Sequence, residues 1–432
     1  MIVAHLDMDA FFAACEERAN PQFVGLGIVV GADPKNGIGR GVVSTANYQA
    51  RKYGIHSAMP ISTAWKLSQQ ALQKGEPKTV FLPVNGSYYS QVSEKIFSIV
   101  RKYVRVVEQS SVDEAYLDLS FGDDSASDMK FFGLYNSRSS GNEASVHESS
   151  YSRAQMQRSS KFISSLNSSL ASPQNLSGYD KAIELIKKIK LEIKQQENLT
   201  ATVGIGPNKL IAKMTSARFK PDGLTAIYPD EVEKFLDPLP IGDIPGVGPK
   251  SEEFFHRKNI YKVSDLKKVS KEQLASWMGK WGEDIYLKVR GIDDSPVTVE
   301  REIKSISEQE TFENDTLSAA YILDRLNELA ARVVERMKYD KVEVFKTVTI
   351  VVRFSDFTTK TRAHTLKVAT NSLPLFKTEV MKLILPFLDR RENPQLKKIR
   401  LIGVGIEHFK EEENLVDKKE KKIIEQTKLF NT

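Results

Sequence analysis

The alternation of apolar and polar positions divides the N-terminal part of the chain into short strands and helices. Apolar runs predict strands over residues 1–6, 24–31 and 42–45. Residues 87–103 are predicted to form an amphipathic helix, because apolar side chains recur there every three or four residues. These apolar positions are Tyr89, Val92, Ile96, Val100 and Tyr103.

The same pattern continues as an alternating series of strands and helices. The further elements that it predicts are helices at 11–18, 46–51 and 182–193, and strands at 105–107, 115–119 and 199–203. The resulting β-α-β-β-α-β succession resembles a ferredoxin-like sheet with helices on one face. We therefore expect a multidomain α+β fold.

The pattern changes between residues 121 and 178, where 17 of 58 residues are serine and hydrophobic periodicity is weak. We expect a mobile insertion there, without a packed core of its own. A compact helical segment over 241–291 and an extended linker over 292–304 come later in the chain. A final α/β unit follows, with helices near 317–338 and 373–388 and strands at 344–354 and 398–404. The charged residues 411–432 are expected to be disordered.

Composition narrows the possible functions only slightly. The length of 432 residues suggests two to four domains, and Lys plus Arg exceed Asp plus Glu by 62 to 56. This basic excess is compatible with a nucleic-acid partner. One cysteine and six scattered histidines exclude internal disulfides and an ordinary zinc site. No leader or membrane-spanning run is evident, so we expect an intracellular protein, cytoplasmic if the source is prokaryotic.

Two acidic clusters lie inside apolar, strand-like runs. Asp7 follows the first strand, and Asp113 and Glu114 precede a later one. A buried carboxylate without compensation costs several kcal/mol, and three converging carboxylates typically bind hard divalent cations. Two such ions support in-line displacement at phosphorus, so phosphoryl chemistry is the leading hypothesis. Asp9 and Asp118 are better explained as caps or surface charges.

Asp113 and Glu114 are adjacent, which restricts where they can lie. Successive side chains of a regular strand point to opposite faces. The two carboxylates can therefore share a metal site only at a turn or bend, and their position at the start of a predicted strand allows this.

Three further segments carry groups that suit phosphate. Thr45, Tyr48 and Arg51 lie near a strand-to-helix turn, and a hydroxyl, a phenol and a guanidinium together suit a triphosphate. Lys209 follows a glycine turn that enters a helix, although the spacing is not that of a P-loop. Residues 244–250 resemble a helix-hairpin-helix turn, whose glycines let backbone N–H groups approach DNA phosphates without reading sequence. Ordinary packing remains the alternative for each segment.

Together these motifs resemble the Y-family translesion DNA polymerases, particularly the DinB type. The matching segments, in order, are Asp-Met-Asp-Ala-Phe-Phe (7–12), Ser-Thr-Ala-Asn-Tyr-x-Ala-Arg (44–51), Ser-Val-Asp-Glu-Ala-Tyr-Leu-Asp (111–118), Gly-Ile-Gly-Pro-Asn-Lys (204–209) and Ile-Pro-Gly-Val-Gly (244–248). The resemblance covers residues 1–410, interrupted by the Ser-rich insertion. It implies a right-hand polymerase with a ferredoxin-like palm, small fingers, a helical thumb and an α/β little finger.

The resemblance also implies domain boundaries. These are palm at 1–18 and 79–239 with the insertion at 121–178, fingers at 19–78, thumb at 240–291, linker at 292–304, little finger at 305–410 and tail at 411–432.

Site residues follow from the matching motif positions. The resemblance implies two Mg²⁺ ions held by Asp7, Asp113, Glu114 and the Met8 backbone carbonyl, with the three carboxylates catalytic. It implies a steric gate against ribonucleotides at Phe12. The implied nucleotide-binding residues are Phe11, Phe12, Thr45, Tyr48, Arg51 and Lys209. Many relatives have tyrosine where this chain has Ala10, so no contact is expected from a ring at that position.

The resemblance and the sequence also suggest contacts with macromolecules. DNA-binding residues are expected in the hairpin at Gly246, Gly248 and Lys250. Arg353, Lys360 and Arg362 are also expected to bind DNA, at spacings that allow a shared face. The tail residues Gln426, Leu429 and Phe430 resemble the short peptide by which replication proteins bind a sliding clamp.

The preferred hypothesis is a template-directed DNA polymerase that tolerates damaged templates and acts as a monomer on primer-template DNA and deoxynucleoside triphosphates. Two alternatives remain. A nucleotidyl cyclase could use a similar palm and two metals, but would not need the hairpin or the basic C-terminal unit. A non-catalytic DNA-binding scaffold would be expected to have lost metal carboxylates, and all three are present.

Overall fold

A computed structural model describes residues 1–120, 177–299 and 302–409. Nearly all of the Ser-rich insertion and the tail with Gln426, Leu429 and Phe430 lie outside the described residues. The chain divides into two compact units, Met1–Glu300 and Arg301–Thr432. Within the described residues no helix is long and apolar enough to cross a membrane.

The first unit contains eight strands and eleven helices among its described residues. The strands are β1 (Val3–Met8), β2 (Ile28–Gly31), β3 (Val43–Ala46), β4 (Val80–Leu82), β5 (Val107–Gln109), β6 (Glu114–Asp118), β7 (Ala201–Gly206) and β8 (Leu224–Ala226). The helices are α1 (Phe11–Ala19), α2 (Tyr48–Lys52), α3 (Ile61–Gln73), α4 (Gly86–Tyr103), α5 (Gly178–Glu197), α6 (Lys209–Arg218), α7 (Val232–Leu236), α8 (Pro249–His256), α9 (Val263–Leu266), α10 (Lys271–Met278) and α11 (Lys280–Lys288).

Five of these strands form one sheet in the order β5-β6-β1-β7-β8. All neighbours are antiparallel except β7 and β8. The series β1-α4-β5-β6-α5-β7 has the ferredoxin-like element order, and its first strand lies inside the sheet between the third and the last. The ferredoxin-like succession that the sequence predicts is confirmed.

The two faces of this sheet carry different residues. Ala4 and Leu6 of β1 point into a core formed with α4 and α5. The alternate residues His5 and Asp7 therefore point to the second face. The apolar residues of these strands are those that point into the core. The charged residues lie on the second face.

Helix α6 covers part of that second face. The Nδ1 atom of buried His5 lies 2.7 Å from the Ser216 hydroxyl oxygen of α6. The approach is close at Gly204 of β7, where a Cβ atom would lie 2.3 Å from the Ala212 carbonyl oxygen. The expectation that helices lie on one face only is therefore incomplete.

The other strands of the first unit form a small sheet in the order β3-β2-β4, packed with α2 and α3 around their own core. Strand β2 begins at Ile28, not at residue 24 as the sequence predicts, because the chain turns just before it: Gly25 has a φ of +83°, and the Leu26 N–H donates to the Phe23 carbonyl oxygen at 3.0 Å. Helices α7 to α11 surround a second core, to which α6 contributes Leu210, Ile211 and Met214.

The second unit has four strands and two helices among its described residues, namely β9 (Ser305–Thr316), α12 (Ala319–Tyr339), β10 (Phe345–Phe354), β11 (Thr359–Thr370), α13 (Leu373–Leu388) and β12 (Ile399–Glu407). The sheet order is β11-β10-β12-β9, with all neighbours antiparallel. Alternate apolar residues of β10 and β12 form a core with both helices. The multidomain α+β fold that the sequence predicts is confirmed.

The shared face predicted for Arg353, Lys360 and Arg362 is wrong. Lys360 pairs in register with Val352, and Arg362 with Ile350, so both lie on the helix-covered side. Arg353 is one residue beyond Val352 and points to the opposite face. The spacing of the basic residues could not reveal this, because it spans the turn between two strands.

Candidate active site

The predicted carboxylates meet at one end of the five-stranded sheet. Asp7 and Glu114 are register partners on the neighbouring strands β1 and β6. Asp113 lies in a bend immediately before β6 begins at Glu114. The Met8 backbone N–H donates to the Asp113 carbonyl oxygen at 2.9 Å. As the sequence predicts, a bend allows two adjacent carboxylates to lie at one site.

Ser111 fixes this bend. Its hydroxyl donates to Asp113 Oδ1 at 2.5 Å and accepts from the backbone N–H groups of Asp113 and Glu114 at 3.2 and 3.1 Å. Bonds to both neighbours restrict the backbone where the chain changes direction. The positions of the two carboxylates are therefore fixed by local hydrogen bonds that need no bound ligand.

Two lysines compensate the carboxylates. Lys220 Nζ lies 2.5 Å from Asp7 Oδ1, and Lys213 Nζ lies 2.7 Å from Glu114 Oε2. His5 Nε2 is 3.4 Å from the same Glu114 oxygen. The sequence analysis missed these partners. Lys213 lies four residues after Lys209, on the next turn of a predicted helix, and that spacing is the one signal that could have suggested it.

The ionisation of these groups reflects their surroundings. Hydrogen bonding to His5, followed by Lys213, lowers the pKa of Glu114 to about 2. Burial raises the pKa of Asp113, and the charges of Asp7 and Glu114 add to this effect. Burial also lowers the pKa of His5, which therefore favours its neutral form. The three carboxylates therefore repel one another when ionised, and a positive charge close to them stabilises the ionised forms.

Within residues 1–120, 177–299 and 302–409, no three Asp, Glu, His or Cys side chains are arranged as a ready metal-binding cluster. Asp7 and Glu114 contact lysines instead. The donor chemistry nonetheless fits a hard divalent ion, because three carboxylates and the nearby Met8 carbonyl oxygen supply only oxygen ligands. When such an ion binds, the contacts of Lys220 with Asp7 and of Lys213 with Glu114 must break or lengthen.

The two predicted aromatic contacts begin helix α1. Phe11 is buried in the core of the sheet. Phe12 is half-buried and stacks on Tyr89 with ring centroids 4.3 Å apart and an angle of 15°. Only Phe12 of the pair is placed so that part of its ring remains accessible to a ligand.

Thr45, Tyr48 and Arg51 lie in the small three-stranded unit. Thr45 is on β3, while Tyr48 and Arg51 are one turn apart on α2. The Arg51 guanidinium lies 4.8 Å from the centre of the Tyr48 ring, and its Nε donates to the Ala46 carbonyl oxygen at 2.9 Å. Burial raises the pKa of Tyr48, so its phenol remains a proton donor at neutral pH. This arrangement orients a phenol and a guanidinium together.

Lys209 is the first residue of α6 and has an acidic partner that the sequence analysis missed. Its Nζ lies 2.7 Å from a carboxylate oxygen of Glu108 on β5, and 4.8 Å from the centre of the Tyr116 ring. Glu108 also accepts from the Thr298 backbone N–H at 3.0 Å. A phosphate that recruits Lys209 must compete with Glu108.

The hairpin between the 3-10 turn at Ile241–Asp243 and α8 carries the predicted glycines. Gly246 has a φ of +102°, a backbone conformation that glycine adopts without strain. Pro249 begins α8, and Lys250 beside it is exposed. The turn therefore exposes two glycines and a cation, Gly246, Gly248 and Lys250, as a non-specific phosphate contact requires.

In the second unit, the sheet face opposite the helices bears a shallow groove of about 170 Å³. Gly403 and Gly405 form its floor, and small polar side chains such as Ser307, Gln309 and Thr361 line it. Arg353 lies on this face. Lys360 and Arg362, on the other side, are both bound by Glu392 at 3.2 and 2.8 Å.

Comparisons with known proteins agree with these features. Residues 6–217 match the model of the impB/mucB/samB family, and residues 303–418 match that family's C-terminal domain. Residues 242–293 match a domain described as the DNA polymerase-iota thumb domain.

Whole-chain relatives extend the likeness. The chain is 36% identical over 411 residues to DNA polymerase IV 2 of Methanosarcina mazei, covering 95% of this chain and 93% of that one. It is 34% identical over 414 residues to DNA polymerase IV of Streptococcus agalactiae, covering 96% and 95%. Among solved structures, it resembles a Y-family chimera of Dbh and Dpo4, with a TM-score of 0.71, 26% identity and coverage of 95% and 99%. It also resembles an insertion ternary complex of Dbh DNA polymerase, with a TM-score of 0.58, 26% identity and the same coverage.

Proposed function

This chain belongs to the DinB type of Y-family translesion DNA polymerases, and we propose that Asp7, Asp113 and Glu114 are the residues that carry out its nucleotide addition. It is a DNA-directed DNA polymerase that depends on divalent metal. The observation that supports the assignment is the meeting of the three carboxylates at one end of β1 and β6. The substrates proposed are primer-template DNA and deoxynucleoside triphosphates.

The metal proposed is Mg²⁺, two ions per site, held by these three carboxylates and the Met8 carbonyl oxygen. When bound, the ions supply Lewis acidity to the primer 3′-hydroxyl and neutralise charge on the triphosphate and the leaving pyrophosphate. The protein holds the oxygens in place through the Ser111 bend and the β1–β6 register. With no protein general base proposed, positioning and charge account for most of the rate.

The incoming triphosphate is proposed to contact Thr45, Tyr48, Arg51 and Lys209. Phe12 is proposed to lie close to the nucleotide through its ring, and Phe11, whose ring is buried, only through its backbone. The phenol of Tyr48 and the guanidinium of Arg51 can donate to phosphate oxygens together, because one side chain lies over the other. Phe12 is proposed as the steric gate against a 2′-hydroxyl. Its stacking on Tyr89 supports this role, since a ring fixed in place can exclude an added oxygen.

DNA is proposed to bind through its phosphates to the hairpin at Gly246, Gly248 and Lys250 and to the basic residues of the second unit. Arg353 lies on the polar sheet face that bears the groove. Lys360 and Arg362 remain candidates, but Glu392 already neutralises part of their charge.

Primer extension with Asp7→Asn tests the assignment most directly. Asp118→Asn is the matched control, because Asp118 lies on β6 but at its other end, where it caps the Ser120 backbone N–H at 2.9 Å. We expect Asp7→Asn to lose extension in Mg²⁺ while DNA affinity is retained, and the control to extend normally. Extension by Asp7→Asn at the wild-type rate would show that the metal ligands are misassigned. An unmutated chain that binds DNA but never extends a primer would favour a scaffold instead.

The tail is proposed to bind a sliding clamp through Gln426, Leu429 and Phe430, with the polymerase acting as a monomer. These residues lie outside the described part of the chain, so the support is their sequence alone. A flexible peptide loses chain entropy on binding, so we expect an affinity on the order of micromolar. Tethering to a clamp on DNA can raise apparent affinity roughly a hundredfold.

Deleting residues 426–432 tests the tail. Distributive synthesis on a bare primer should be unchanged, and stimulation by the clamp should disappear. Equal stimulation of the intact and truncated chains would exclude the tail as the tether.

A further inference from the structure

Asp9 is a buried carboxylate to which the proposed mechanism gives no task. It lies in the turn between β1 and α1, two residues after Asp7, and only 4% of its surface is exposed. Its backbone N–H donates to the Thr200 carbonyl oxygen at 3.0 Å. Burying a charge is costly unless hydrogen bonds satisfy it, so its partners indicate why the residue is tolerated there.

Three donors from three separate elements converge on this carboxylate. Oδ1 accepts from the Thr202 hydroxyl of β7 at 2.8 Å and from the Tyr48 hydroxyl of α2 at 3.3 Å. Oδ2 accepts from the Asp222 backbone N–H at 2.8 Å, in the turn that follows α6. Asp9 therefore joins the five-stranded sheet, the small three-stranded unit and this turn at one point.

Two of these partners lead to groups at the proposed active site. Tyr48 is the first residue of a helix of only five residues, and its ring supports the Arg51 guanidinium. The turn fixed at Asp222 carries Lys220, which contacts Asp7 Oδ1 and lies 3.5 Å from the Met8 carbonyl oxygen. Thr202 belongs to the same network, since its hydroxyl oxygen also accepts from the Gly223 backbone N–H of this turn at 3.3 Å.

We propose that Asp9 is a positioning residue for nucleotide addition, which orients the Tyr48 phenol toward the triphosphate and holds the turn that carries Lys220. The inference rests on the proposed function of Tyr48 as a triphosphate contact. Asp9 touches no substrate itself. Its effect passes through Tyr48 and the turn, so it differs from the carboxylates that hold metal.

Asp9→Asn tests this proposal with little change of shape. The amide keeps one oxygen and replaces the other with an NH₂ group, so either the Asp222 N–H or the hydroxyls of Tyr48 and Thr202 lose their acceptor. Ser68→Ala is the control, because it removes a buried hydrogen bond within α3, from the Ser68 hydroxyl to the Trp65 carbonyl oxygen at 2.7 Å, that involves neither Asp9 nor its partners. The measurements are kcat and KM for a single deoxynucleotide, the dissociation constant for DNA, and the midpoint of thermal unfolding.

We expect Asp9→Asn to raise KM for the deoxynucleotide about tenfold and to lower kcat, while the dissociation constant for DNA stays within about twofold. Ser68→Ala should lower the unfolding midpoint and leave KM unchanged. Asp9→Ala removes the acceptor of the Tyr48 hydroxyl itself. In the double variant Asp9→Ala/Tyr48→Phe, the rise in KM should be smaller than the product of the two single effects, because both changes break that one contact. If Asp9→Asn does not fold, Asp9→Ser, which keeps one acceptor oxygen, is measured in the same way.

The outcomes separate this inference from the function on which it rests. If Tyr48→Phe raises KM but neither Asp9→Asn nor Asp9→Ala does, Asp9 is only structural and the inference is wrong. Independent, multiplicative effects of the two changes would also overturn it. If Tyr48→Phe leaves KM unchanged, the triphosphate role proposed for Tyr48 is wrong, and the inference fails with it.

Discussion

The five-stranded sheet of the first unit and the four-stranded sheet of the second share a β-α-β-β-α-β order but differ in strand order. In the first sheet the initial strand β1 lies inside, between β6 and β7, whereas in the second the initial strand β9 lies at an edge. Both sheets pack two helices on one face. They differ most on the other face.

The second face of β1 and β6 bears His5, Asp7 and Glu114 and is partly covered by α6, which brings Lys213. The corresponding face of the C-terminal sheet has glycine and small polar residues at its centre. Both sheets have the same order of elements along the chain and the same helix-covered core face. The chemical difference between them therefore lies in the side chains of the second face. The first can concentrate charge for catalysis, and the second can lie against a polymer without distinguishing its sequence.

The largest effect expected from this comparison concerns Asp113 and Glu114. Asp113→Asn and Glu114→Gln should each lower nucleotide addition by about a thousandfold or more, because each removes a charged oxygen ligand proposed for the metal. Single-turnover primer extension measures this effect. Far-ultraviolet circular dichroism and DNA affinity should be close to those of the unmutated chain.

Arg353→Gln, on the second face of the C-terminal sheet, is the variant to compare with Asp113→Asn and Glu114→Gln. It should leave the rate at saturating DNA nearly unchanged and alter only affinity. Comparable losses of rate from both sheets would contradict the division of roles between their second faces.

Phe12→Ala should relax discrimination against ribonucleotides by about a hundredfold, because the ring proposed to exclude the 2′-hydroxyl is removed. The measurement is the ratio of kcat/KM for a deoxynucleotide and the matching ribonucleotide. Tyr89→Leu keeps Phe12 but removes the ring on which it stacks, so a smaller relaxation is expected. Unchanged sugar selection by a folded, active Phe12→Ala would remove Phe12 as the gate.

The carboxylates could be found from the sequence because charges inside apolar strands require compensation. Asp113 and Glu114 could even be assigned to a bend, since a regular strand separates neighbouring side chains. Lys213 and Lys220 could not be found in this way. Their contacts join residues about a hundred or more positions apart and depend on α6 packing across β1, which no local pattern records.

The second unit shows a different limit. Strand β11 was not predicted, because Thr359–Thr370 has almost no apolar alternation at the edge of its sheet. Without that strand and its register with β10, the sequence could not show that Lys360 and Arg362 lie on one face of the sheet and Arg353 on the other. Local periodicity identifies elements with a buried face, and it fails for an edge strand whose side chains are mostly exposed.

Lys213→Met should tighten binding of a divalent ion in the absence of nucleotide by about fivefold to tenfold, because a positive charge that competes for Glu114 is removed. Mn²⁺ titration followed by electron paramagnetic resonance measures this affinity without activity. Lys187→Met is the control, since Lys187 pairs with Glu184 on the exposed side of α5. Weaker Mn²⁺ binding by Lys213→Met alone would show that the lysine supports the site and does not compete for it.

The smallest effect concerns DNA affinity and the two sides of the C-terminal sheet. Arg353→Gln should weaken DNA binding about threefold to fivefold at low salt and reduce the salt dependence by about one counterion, because one phosphate contact is lost. Arg362→Gln should weaken it less, because Glu392 already pairs with Arg362 at 2.8 Å and part of its charge is spent within the protein. Fluorescence anisotropy at several salt concentrations, with a labelled primer-template, measures both variants. A larger loss from Arg362→Gln than from Arg353→Gln would place the DNA along the helix-covered edge and not on the face that bears the groove.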